Sequence, residues 1–141
     1  MILLDTNVIS AMIRTPPDGQ VLAWVDRHKR VDVWTTSITV MEVETGLGRM
    51  ASGAKHRALL QGWHDLCEIG LGGRVAAFDI EAAHQAAQLA NERERTGFVI
   101  DVRDTQIAGI ALAHQATLAT RNIRHFQDLE TPVINPWTSA P

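Results

Sequence analysis

The chain has 141 residues, 45% of them apolar, with a formal net charge of −3 and one cysteine. That apolar share excludes a disordered chain, and the length suits one domain, 1–141, with its own core. No apolar run approaches the roughly 20 residues of a membrane span, and a start without a basic segment, interrupted by Asp5, predicts no signal peptide. The lone Cys67 excludes an internal disulfide, which suits a cytoplasmic protein.

In chain order, ILLD reads as a short buried strand that ends on Asp5. A short helix spans about Asn7 to Arg14, and TPPDG stops it because two prolines and a glycine punctuate strongly. A second helix spans about Gly19 to Lys29, with Val21, Leu22, Trp24 and Val25 as its apolar content. VDVWTT, rich in β-branched residues and Trp, is the second strand. Ser37 reads as the N-cap of the helix in SITVMEVETGLGRM. Another helix runs from about Ala54 to Glu68 and ends at Gly70, Gly72 and Gly73. VAAF is a third strand, and Asp79 caps a long helix to about Arg95 that Thr96 and Gly97 close. Asp101 to Gln115 is a further helix, TLAT a fourth strand and PVIN a fifth. Strand alternating with helix predicts an α/β fold, a short parallel sheet of four to five strands covered by helices.

Three carboxylates stand out by position. Asp5 ends the first strand, Glu42 lies early in the helix after the second strand, and Asp104 lies in the first turn of the helix before the fourth. In a right-handed parallel layout, strand ends and the starts of following helices gather on one edge. Like charges gathered there call for a cation, and a hard divalent ion such as Mg²⁺ accepts a few carboxylates while keeping several waters. Each acid also has a plainer reading. Asp5 can cap the helix that follows, Glu42 can be a solvated glutamate with Glu44 competing for the same role, and Asp101 and Asp104 can serve the start of their helix. Asp104, however, shares a face with Ala108 and Ala111, which predicts contact with a neighbouring element. Setting these three acids aside brings the formal charge from −3 to 0, which softens the argument that a nucleic-acid partner requires a basic domain. Two basic clusters, Arg27 to Arg30 and Arg121, Arg124 and His125, can meet phosphate or simply face solvent.

Other chemistries find little support. The six histidines lack metal-ligand spacing such as HxxxH. Cys67 reads as packing, and Ser37 and Ser52 lack a nucleophile elbow. The glycines near position 72 follow a helix instead of a strand, and DTN lacks the DxD of an aspartyl-phosphate hydrolase.

Taken together, MILLDTNVIS, SITVMEVETG, DVRDTQIAGIALAH and LATRNIRHF, with NPW near the end, resemble the PIN-domain ribonucleases. The match looks nearest to VapC-type toxins of toxin–antitoxin pairs, in the FitB-like group, and it spans nearly the whole chain. The resemblance selects Glu42 over Glu44 and marks Asp5, Glu42 and Asp104 as the metal-holding acids, with Thr6 beside the first. Where many relatives carry a fourth acid, this chain has Asn122 or, a few residues later, His125. One tightly held ion, with a second recruited by substrate, is then the expectation. The resemblance implies a PIN-like single domain whose sheet is sandwiched between helices. It also implies Mg²⁺- or Mn²⁺-dependent hydrolysis of RNA phosphodiester bonds. Asp5, Glu42, Asp104 and Asn122 would act in catalysis, Thr6 would support the site, and Arg121 would contact phosphate; Asp101, which is not a motif residue, could add charge at the rim. It further implies a homodimer, a small VapB-like antitoxin that covers the site, and operator DNA met only through that antitoxin. The competing expectation is a catalytically silent PIN-like domain that binds a protein or RNA partner.

Overall fold

Leu3 and Leu4 divide the interior between them. Successive side chains of a strand point to opposite faces, and both leucines are fully buried. Leu4 joins one core cluster with Val8, Ile9, Val21, Trp24, Val43 and Leu47, while Leu3 joins another with Ala82, Ile107, Ile110, Leu118 and Phe126. A strand apolar on both faces must be central, covered by helices on each side. The computed structural model, which describes residues 1–139, has that architecture.

Five parallel strands form the sheet: β1 (Ile2–Leu4), β2 (Val33–Thr36), β3 (Val75–Ala76), β4 (Thr117–Ala119) and β5 (Val133–Ile134), in the order β3-β2-β1-β4-β5. Leu4 pairs with Thr35 on one side and with Ala119 on the other. Helices α1 (Thr6–Ile13), α2 (Gly19–Asp26), α3 (Ser37–Gly48) and α4 (Ala54–Asp65) supply the first core cluster. Helices α5 (Ile80–Thr96) and α6 (Val102–His114) supply much of the second. No helix among the described residues is long and apolar enough to cross a membrane.

The element order follows the expectation, with local corrections. The cap of α3 is Thr36, whose hydroxyl accepts from Thr39 N at 3.0 Å; Ser37 is already helical, and its hydroxyl instead accepts from Phe78 N at 3.0 Å. Helix α2 stops at Asp26, not Lys29, where Arg27 N turns back to Trp24 O. Helix α4 stops at Asp65 and widens into a π turn over Leu66–Gly70, closed by Leu71 N bonding Leu66 O at 2.7 Å. The strands are also shorter than their sequence patterns.

Helices α5 and α6 meet through small residues, Ala82 and Ala86 facing Gly109. A Cβ on Gly109 would lie 2.5 Å from Ala82 O and 2.7 Å from Ala86 Cβ. Gly109→Ala is therefore expected to destabilise the fold by about 1–2 kcal/mol, because overpacking outweighs the helix-propensity gain of about 1 kcal/mol. Urea unfolding measures it; a rise in midpoint would show that the two helices separate freely.

Candidate active site

The sheet reverses its order of growth at β1: the chain runs β1, β2, β3 to one side, then β4, β5 to the other. Crevices at such switch points, outside the carboxyl ends of the strands, are where open α/β sheets bind ligands. Asp5 leaves β1 at that point, and Thr120 leaves β4 beside it. The Thr120 hydroxyl donates to Asp5 Oδ2 at 2.7 Å, closing the gap between neighbouring strands. Asp5 is also the N-cap of α1, its Oδ1 accepting from Thr6 N at 2.8 Å, and Asn7 Nδ2 donates to Oδ2 at 3.3 Å. Asp5 is thus a helix cap that also stands at the switch point of the sheet.

Asp5 is only 4% exposed. Burial raises its pKa from 3.8 to about 6; the Thr120 and Thr6 hydrogen bonds oppose the rise, and the charges of Asp104 and Glu42 add to it. The three acids therefore share one electrostatic neighbourhood although they come from three elements. Glu42, in the second turn of α3, accepts from the Thr6 hydroxyl at 2.9 Å through Oε1. Its Oε2 lies 3.8 Å from Arg103 Nη1. Glu44 points elsewhere: it is exposed, and its Oε1 lies 3.4 Å from Trp63 Nε1. Asp104, in the first turn of α6, has its Oδ2 2.8 Å from His125 Nδ1, an ion pair when the imidazole is protonated. This contact meets the expectation that Asp104 faces a neighbouring element.

The remaining candidates sit around this centre. Asp101 caps α6 by accepting from Arg103 N at 2.8 Å. Asn122 is exposed, and its backbone N donates to Thr120 Oγ1 at 3.0 Å. Arg121 N donates to Asn7 Oδ1 at 3.0 Å, while its guanidinium carbon rests 4.7 Å from the centre of the Trp137 ring. Four residues that enter the site escaped the sequence reading as contacts: Thr120, Asn7, Arg103 and, as the partner of Asp104, His125. Their partners lie from 2 to 115 positions away, and the local ones are Asp5 for Asn7 and Asp101 for Arg103, each two residues off.

The donor set suits a hard divalent cation: carboxylate oxygens from separate elements, one of them held high chiefly by its burial, with a smaller contribution from the charges of the other two. The side chains do not yet form a ready-made cage. Among the described residues no three His, Cys, Asp or Glu side chains are gathered as a complete ligand set, since Glu42 turns to Thr6 and Arg103 and Asp104 turns to His125.

Comparison with known proteins finds relatives over nearly the whole chain. The PIN domain model matches residues 2–131. The chain is 36% identical to VapC ribonuclease Y4jK of Sinorhizobium fredii over 99% of this chain and 100% of that protein. It is also 36% identical to Toxin FitB of Neisseria gonorrhoeae, over 97% and 99%. Among solved structures, FitAB bound to an IR36 DNA fragment shares a TM-score of 0.88 and 35% identity, covering 100% of this chain and 99% of that one.

Proposed function

The chain belongs to the PIN-domain family, and from that premise we propose that it is a metal-dependent endoribonuclease toxin of the VapC and FitB kind, residues 1–141 forming one domain. The observation that carries the reading is the clasp of Thr120 on Asp5 at the switch point, within the electrostatic reach of Glu42 and Asp104. A buried acid kept beside two others is costly for folding, and the metal site it suits gives it a use.

Asp5, Glu42 and Asp104 would hold Mg²⁺ or Mn²⁺. When bound, such an ion polarises a phosphoryl oxygen and lowers the pKa of an attacking water. The chain's own residues do the positioning. Thr120 and Thr6 N fix the Asp5 carboxylate from both oxygens, and the Thr6 hydroxyl fixes Glu42. Asn122 brings a neutral amide to the rim, able to orient water without adding charge. Arg121 offers a cation to the phosphate backbone from its place over Trp137.

A VapB-like antitoxin is the expected partner. A groove of about 300 Å³ walled by Ile13, Val43, Leu47 and Leu59 runs up to Thr6 and Glu42, which suits an apolar segment that ends over the acids. Because the FitAB structure contains DNA, this chain is expected to meet operator DNA through its antitoxin. A homodimer in the cytoplasm completes the reading.

Purified protein incubated with a pool of structured RNAs and Mg²⁺ or Mn²⁺ should yield discrete fragments, and EDTA should stop it. Intact RNA in every ion, from folded protein, would sink the nuclease reading in favour of a silent binding domain.

A further inference from the structure

The fold contains two arginines beside the acid edge, treated in opposite ways. Arg93 of α5 is structural. It is 3% exposed; its Nε and Nη2 bond Asp128 at 2.9 Å each, its Nη1 bonds Thr105 Oγ1 at 2.9 Å, and Nη2 also reaches His125 O at 2.8 Å. Arg103 of α6 is half exposed and adjoins Asp104. Asp101 Oδ1 accepts both from its backbone N at 2.8 Å and from its Nε at 3.2 Å, so the root of the side chain is aimed. Beyond that anchor the guanidinium is loosely held. Its Nη1 approaches Glu42 Oε2 at 3.8 Å, which is outside hydrogen-bond range. Among the described residues neither terminal nitrogen makes a hydrogen bond.

We propose that Arg103 is a phosphate-contacting residue, its guanidinium edge beyond the Asp101 anchor receiving the non-bridging oxygens of the RNA phosphate at the acid site in place of the long contact with Glu42. The proposal rests on the nuclease reading above. Its physical basis is that three carboxylates repel an incoming phosphate, so the entry edge needs a cation with unspent donors. A guanidinium presents them in the planar fork that matches phosphate oxygens. Asp101 is then a positioning residue, acting through Arg103. The competing account is that Arg103 only balances the charge of Glu42.

The two accounts predict opposite results. In Arg103→Gln, kcat/KM on a single-stranded RNA oligonucleotide with Mn²⁺ should fall roughly 10- to 30-fold, with Arg103→Lys recovering part of it because a point charge replaces the fork. RNA affinity in EDTA, read by fluorescence anisotropy, should lose about one unit of its logarithmic salt slope. Mn²⁺ affinity, read by calorimetry, should stay the same or tighten. Wild-type cleavage and salt slope in Arg103→Gln, together with tighter Mn²⁺, would make Arg103 a counter-ion and overturn the proposal. Weakened Mn²⁺ binding with an unchanged salt slope would overturn it too, by assigning the loss to the acids. A wild type that neither cleaves nor binds RNA would remove the nuclease reading, and this proposal with it.

Discussion

Asp5→Asn is expected to lower RNA cleavage by at least about 100-fold, since even the partners of a metal ligand cost 10- to 100-fold when removed. The substitution keeps the shape of the side chain, so the variant should fold. A near wild-type rate would remove Asp5 from the chemistry and point to a contaminating nuclease. The same variant carries a second signature, in stability. Asp5 has a folded pKa of about 6 against an ordinary 3.8. Between about pH 4 and 6 the native state therefore holds a proton that the unfolded chain has released. Stability from this group is full below that window and is lost as pH rises through it, by up to about 3 kcal/mol for two units. Asp18, Asp101 and Asp128 have lowered pKa values and act in the opposite direction, losing their contribution as pH falls. The difference between wild-type and Asp5→Asn denaturation curves in EDTA isolates the Asp5 part. A flat difference from pH 4 to 6 would show that Asp5 is better solvated than its burial implies.

Arg93→Met is expected to be the most damaging single change to the fold, at about 3 kcal/mol and a melting temperature lower by roughly 10 °C. Methionine fills similar volume but leaves Asp128, Thr105 and the His125 carbonyl without their donors. The value sits at the low end for a broken buried pair because the Asp128 side chain is 30% exposed and can turn to water. Arg93 also lies 5.4 Å from the Phe98 ring, so the loss reaches the turn that joins α5 to α6. Thermal unfolding measures it. A shift under about 3 °C would mean that the two helices hold together through their apolar faces alone. Because Arg93 pins the segment that carries His125, this variant should also lose activity, more at higher temperature than at low.

The parts of this molecule legible in its sequence are those with local causes. Asp79 and Asp101 cap α5 and α6 as their patterns indicate, and ILLD announces a central strand because neither face is polar. Helix ends were harder. Nothing between Asp26 and Lys29 breaks a helix, and the π turn after Asp65 continues an apolar pattern that looks helical. The cap of α3 is Thr36 and not Ser37, a choice two adjoining hydroxyl residues leave open in sequence; Phe78 N, 41 positions away, claims the serine and leaves Thr36 to the helix. In the site, strand position marked Asp5 and small neighbours marked Asp104, but composition and periodicity could not separate Glu42 from Glu44. The Thr6 hydroxyl on Glu42 separates them in space. The contact of Arg103 with Glu42 spans two helices that no pattern links.

The position of β1 has a consequence for the timing of activity. Asp5 leaves the ribosome before its partner: its strand is the centre of the sheet, and one neighbour, β4, with Thr120 at its end, is made 115 residues later. At about 5–20 residues per second, the acid waits roughly 6 to 23 s for the hydroxyl that orients it. A nascent chain thus carries Asp5 without the contact that orients its carboxylate. The acid edge is therefore assembled only after Thr120 has emerged, late in the folding of the sheet.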